Sequence, residues 1–101
     1  MRAELTKTNQ EMKVKLHERL SFSDHTKFRE LLNSIDKEKP THCIFDMSEL
    51  ISIDSAGLGM LMIAHQQSEK SGWKLSLQAP KGHVKQLLEL SRFDKIIPIT
   101  C

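Results

Sequence analysis

At 101 residues the chain is long enough for one domain around a single core and too short for two. With 28% charged residues and a net charge of +2, it has neither the composition of a disordered chain nor the strong positive charge that draws nucleic acid. Four phenylalanines, one tryptophan and no tyrosine leave few platforms for base stacking, and the lysines and arginines form no basic stripe.

From Glu11 to Leu16, Met12, Val14 and Leu16 alternate with charged neighbours and predict a strand with one solvated face. Ser23 or Asp24 is placed to cap a helix whose apolar stripe is Phe28, Leu31, Leu32 and Ile35, and Pro40 ends the connection that follows. His42 to Met47 is mostly apolar and reads as a central strand covered on both faces. A turn holding Ser48, Ser52, Asp54 and Ser55 is expected next, and Ser55 then begins a helix that Gly72 closes. Trp73 to Leu77 alternates as a further strand. Pro80 opens a last helix with Val84, Leu87, Leu88 and Ser91 facing inward. Ile96 to Ile99 forms a short final strand or extended edge, with Pro98 suited only to a sheet margin. The alternation predicts an α/β fold, a mixed and mostly parallel sheet with helices packed against it, as a single domain over residues 1–101.

The stretch Ile53-Asp54-Ser55-Ala56-Gly57-Leu58-Gly59 sets one serine between an apolar strand and an apolar helix. A serine there is a natural N-cap, its oxygen accepting a backbone N–H of the first turn. The same place suits a phosphate, because unpaired N–H groups and the helix dipole both favour negative charge. Gly57 and Gly59 each cost about 1 kcal/mol relative to Ala in a helix, which points to close backbone approach or to space kept around Ser55. Asp54 either orients the Ser55 hydroxyl or serves as a turn residue; Asp46 either lies beneath the site or marks the end of its strand. Leu58 and Met62 share a helical face with Ser55 and are candidates for a partner surface unless the core takes them, in which case Met60 is next.

Asp54-Ser55-Ala56-Gly57-Leu58-Gly59, preceded by Phe45-Asp46-Met47-Ser48-Glu49-Leu50, resembles the signature of STAS domains, and among them the stand-alone bacterial anti-sigma factor antagonists. Val84-Lys85-Gln86-Leu87-Leu88-Glu89-Leu90-Ser91 is similar to the last helix of that family. The resemblance implies that Ser55 is phosphorylated by a serine protein kinase that also acts as an anti-sigma-like regulator, that an opposing serine phosphatase reverses this, and that the protein is a monomer. Asp54, Gly57, Leu58, Gly59, Met62 and Ser21 are expected to form the neighbourhood of Ser55 that a partner touches. The chain departs from the family at Glu18-Arg19-Leu20-Ser21, where members carry a Gly-x-Leu-Asp-like turn and an aspartate near the phosphorylated serine.

No run approaches the roughly 18 apolar residues that span a membrane, and the polar N-terminus has no signal-peptide core, so a cytoplasmic protein is expected. Cys43 reads as a small core residue and Cys101 as a free terminal thiol. The five histidines have no ligand spacing, so no metal or other cofactor is expected. No GxSxG elbow or phosphate loop is present, and no catalysis by this chain is expected. Two readings stand beside the phosphorylation switch: a constitutive scaffold in which Ser55 only caps, and a small-ligand or nucleotide sensor acting outside transcription, for example on surface polysaccharide or biofilm formation.

Overall fold

The computed structural model describes residues 1–100. In chain order the elements are β1 (Arg2–Thr8), β2 (Glu11–Leu20), α1 (His25–Glu38), β3 (His42–Ile53), α2 (Ser55–Ser71), β4 (Lys74–Gln78), α3 (Gly82–Leu90) and β5 (Ile99–Thr100). They build one mixed sheet of order β1-β2-β3-β4-β5, in which only the β1–β2 pair is antiparallel. Each parallel neighbour needs a crossover, and α1, α2 and α3 supply them in turn.

The alternation that predicted β2 is the alternation that builds the core. Met12, Val14 and Leu16 are buried beside Cys43, Phe45 and Met47 of β3, while Lys13 stays exposed on the other face. Phe28 of α1 meets Phe45 edge-on with centroids 5.9 Å apart, so α1 lies on this apolar face. Leu31, Leu32 and Ile35 follow at helical spacing into the same core, together with Leu61, Val84, Leu88 and Ile97. Trp73, just before β4, is buried, and its indole N–H donates to Asp36 Oδ1 at 2.8 Å, tying the end of α1 to the α2–β4 connection.

Four local expectations are corrected. β1 was not anticipated, because of Arg2–Thr8 only Ala3 packs against the core and Leu5 is exposed; the strand is held by backbone pairing through a two-residue turn, Asn9-Gln10, with Asn9 at φ 57°. β3 runs on to Ile53 instead of stopping near Met47, so Ser48 and Ser52 belong to the strand and not to a turn. Two register shifts against β2 let it do so, each placing an extra β3 residue opposite the shorter strand. α3 starts at Gly82, after a buried Pro80, and Ser91 is exposed beyond its end instead of facing inward. The last strand is only Ile99–Thr100, because Phe93–Lys95 forms a 3-10 turn that drops Phe93 and Ile97 into the core. Pro98 sits at the sheet margin, its carbonyl accepting the Leu77 N–H at 2.9 Å.

Cys43 has no exposed surface, and burial pushes its thiol up to about 12. Thiolate is the reactive species, so Cys43 is expected to resist a thiol reagent near pH 8 until the chain unfolds. Labelling of a Cys101→Ser variant with and without urea checks this; rapid labelling of the folded protein would contradict it. Cys101 itself lies outside the described residues.

Candidate functional site

The site is the junction where β3 becomes α2. Leu20, the last residue of β2, pairs with Ile53, and its carbonyl also accepts the Asp54 N–H at 3.3 Å. The end of β2 therefore braces the turn from which α2 starts. Asp54 is extended (φ −104°, ψ −177°), and its Oδ1 accepts the Gly57 N–H at 2.7 Å while its carbonyl accepts the Leu58 N–H at 3.0 Å. Asp54 is thus the N-cap, and a carboxylate suits the positive end of the helix.

This corrects the expectation that Ser55 caps the helix. Ser55 is the first helical residue, is exposed, and its oxygen takes no part in the cap. The two residues should therefore differ in what they contribute to folding. Asp54→Ala is expected to cost about 0.5–2 kcal/mol, the usual value of a lost cap. Ser55→Ala is expected to stay within about 0.5 kcal/mol of the parent, as surface substitutions do. Urea unfolding of both variants is the check, and equal losses would contradict the assignment of the cap.

The two glycines separate in the same way. Gly57 is buried against the end of β2: a Cβ there would collide with the Leu20 carbonyl oxygen and lie 2.6 Å from Ile53 Cγ1. Gly59 is exposed and a Cβ there would meet nothing within 4 Å. Close approach explains Gly57 and not Gly59. Leu58 and Met62 are half-buried and pack against the core, and Met60 is buried, so Met60 offers no alternative surface. The exposed line on α2 is instead Ser55, Gly59 and Ile63, spaced by four residues, with Ile63 52% exposed. Ile63 was missed from sequence, although its i+8 spacing from Ser55 was the available signal.

Ser21 stands one residue beyond Leu20 and so beside the junction. Its backbone N–H and hydroxyl both donate to Asp24 Oδ2, at 3.0 and 3.2 Å, and Asp24 Oδ1 accepts the Met1 ammonium at 2.7 Å. Burial raises the Asp24 carboxyl, but the bonds from the amine and Ser21 outweigh it and leave the group below the ordinary range. Asp46 is not beneath Ser55. Ile53 lies seven positions further along β3, about 23 Å of strand away. The Asp46 carboxylate accepts the Ser48 N–H at 2.9 Å and faces Lys13 at 3.8 Å; these oppose the burial that would raise it and hold it low. The sequence offered two possibilities for Asp46, beneath the site or at the end of its strand, and the length of β3 excludes both: Asp46 lies within the strand.

Among the described residues no three His, Cys, Asp or Glu side chains converge as metal ligands. Three histidines instead face glutamates: His17 with Glu4 at 2.5 Å, His42 with Glu11 at 3.5 Å and His65 with Glu69 at 3.4 Å. His42 Nε2 also lies 2.8 Å from Ser76 Oγ, joining β3 to β4 far from Ser55. No helix is long and apolar enough to cross a membrane.

A sheet of this order, with three crossover helices and a long central strand leading into α2, defines a class of small α/β domain. The STAS domain family model matches residues 2–100, and the chain belongs to that family. A curated relative, the STAS-domain containing protein PA14_20770 of Pseudomonas aeruginosa, is 24% identical over 91 residues, which is 90% of this chain and 89% of that one. The crystal structure of TM1081 from Thermotoga maritima superposes with a TM-score of 0.87 at 19% identity, covering 98% of this chain and 86% of the other. The anti-sigma factor antagonist SpoIIAA in its unphosphorylated form gives 0.75 at 18% identity over 99% and 89%; the phosphorylated form, from Bacillus, gives 0.74 at 16% over 99% and 92%. The fold is that of the anti-sigma factor antagonists.

Proposed function

We propose that this chain is a phosphorylation-controlled protein-binding switch of the anti-sigma factor antagonist kind, with Ser55 as the modified residue. The observation that carries the reading is the division of labour at the junction: Asp54 holds the helix start, which leaves the Ser55 hydroxyl exposed and unneeded for folding. A kinase can then modify Ser55 without dismantling the fold.

Phosphate adds about −1.5 to −2 charge at pH 7. The helix N-terminus is already served by the Asp54 carboxylate on Gly57 N–H, so a phosphate gains little from that site and is repelled by its neighbour. It is held outward, and the fold changes little. The nearly equal TM-scores of this chain to the two forms of SpoIIAA support the same expectation. The effect falls on whatever covers Ser55, Gly59, Leu58 and Met62. Unmodified, this surface is neutral and partly apolar, and it binds a serine kinase with anti-sigma-like regulatory function; phosphorylated, it releases it. A serine phosphatase resets the switch. In this scheme the partners supply Mg²⁺ and ATP, and the chain itself is a monomeric, non-enzymatic substrate and regulator acting in the cytoplasm.

Phosphosite mapping by intact-mass and peptide mass spectrometry, on protein from the cells that make it and with and without phosphatase, tests this. A single phosphate on Ser55 is expected. An unmodified Ser55 under several growth conditions would overturn the switch and leave a constitutive interaction module.

A further inference from the structure

The helices α1 and α2 do not close over the core completely. Between them lies a cleft of about 150 Å³, with Phe28, Leu32 and Met60 at its floor and Arg29, Ile63 and Gln67 at its rim. It continues along α2 into a second hollow that shares Ile63 and Gln67 and reaches Lys70. At its upper end His25 also lines the cleft, stacked at 5.6 Å on Phe22, itself 71% exposed. An apolar floor, exposed apolar flanks and length along a helix are the features that receive an amphipathic segment.

The charges choose the occupant. Arg29 and Lys70 form no ion pair among the described residues. The acid on this line, Asp36, has both oxygens engaged, Oδ2 by Gln67 at 2.6 Å and Oδ1 by Trp73 at 2.8 Å. The groove thus offers apolar surface and a net positive charge, Arg29 and Lys70 outnumbering the single carboxylate of Asp36, whose oxygens are already hydrogen-bonded.

We infer that the α1–α2 groove is a second docking surface of this protein, and that it receives an acidic amphipathic helix of a partner. An apolar side chain enters the cleft beside Ile63, and carboxylates on the same helix face Arg29 and Lys70. The groove lies on the line of α2 that starts at Ser55, but its chemistry requires nothing of the serine: Ile63 is eight residues on, about 12 Å along the helix and more than a Debye length away at physiological salt.

The test uses two synthetic amphipathic helical peptides with one shared apolar face, one carrying glutamates and the other lysines, titrated into the full chain and followed by backbone amide NMR. The acidic peptide is expected to shift the amides of Arg29, Ile63 and Gln67 and to bind at least tenfold more tightly than the basic one. Arg29→Glu is expected to abolish that preference, Ile63→Ala to weaken both peptides, and Ser55→Asp to change neither by more than twofold. Equal affinities, shifts confined to other surfaces, or an unchanged preference in Arg29→Glu would overturn the inference. So would concentration-dependent shifts of the same amides without peptide, which would assign the groove to a second copy. No phosphate enters this experiment, so an unmodified Ser55 and an empty groove are separate failures.

Discussion

Replacing Gly57 with alanine is expected to lower the melting temperature by about 5–15 °C, whereas the same change at Gly59 raises it or leaves it unchanged. Both substitutions recover the helix propensity that glycine forfeits, about 1 kcal/mol. At Gly59 nothing opposes that gain, since a Cβ meets open space. At Gly57 the new methyl group runs into the Leu20 carbonyl oxygen and Ile53 Cγ1. The carbonyl cannot swing aside, because it accepts the Asp54 N–H and belongs to the last pair of the β2–β3 ladder. Overpacking of this kind costs about 1–3 kcal/mol, and moving the helix away would also strain the Asp54 cap. The net loss, about 1–2 kcal/mol, corresponds to the stated shift in a domain of this size. Thermal unfolding followed by circular dichroism decides it. A Gly57→Ala protein as stable as the parent would mean that α2 does not approach β2 this closely.

Ser55→Asp is expected to weaken the partner complex at least tenfold, and Ser55→Ala to hold it formed under conditions that release the wild type. Tenfold is about 1.4 kcal/mol, a modest demand on a charge placed against an apolar or acidic partner surface. The folding stability of both variants should match the wild type, since the cap is Asp54. That separation is what makes the result interpretable: a binding loss without a stability loss belongs to the surface. Titration calorimetry with the partner that co-purifies with Ser55→Ala, beside urea unfolding of the same samples, provides both numbers. If aspartate and alanine bind alike, charge at residue 55 is not what the partner reads.

Much of the fold was legible because burial imposes periodicity. Met12, Val14 and Leu16 at period two, and Phe28, Leu31, Leu32 and Ile35 at helical spacing, announced β2 and α1 without any tertiary information. Gly72, at φ 86° with its N–H on Ser68 O, ends α2 where the sequence placed the stop. β1 escaped notice because an edge strand stabilised mainly by backbone pairing leaves little mark on its side chains. The run of β3 through Ser48 and Ser52 was misread because polar residues in a strand beyond the reach of β4 look like a turn.

By itself, then, the sequence determined the order and class of the elements, the apolar faces that make one core, and the position of the serine between β3 and α2, since each of these is a local pattern of side chains. Which of two adjacent residues caps α2, which of two glycines is required by close packing, and which apolar residues of α2 remain outside were decided only by the tertiary structure. The first, a bond between residues three apart, is braced by the Leu20 carbonyl, and the last two depend on where that carbonyl and the face of α1 come to rest against α2. These are distances between segments separated by thirty residues or more in the chain, and no local pattern encodes them.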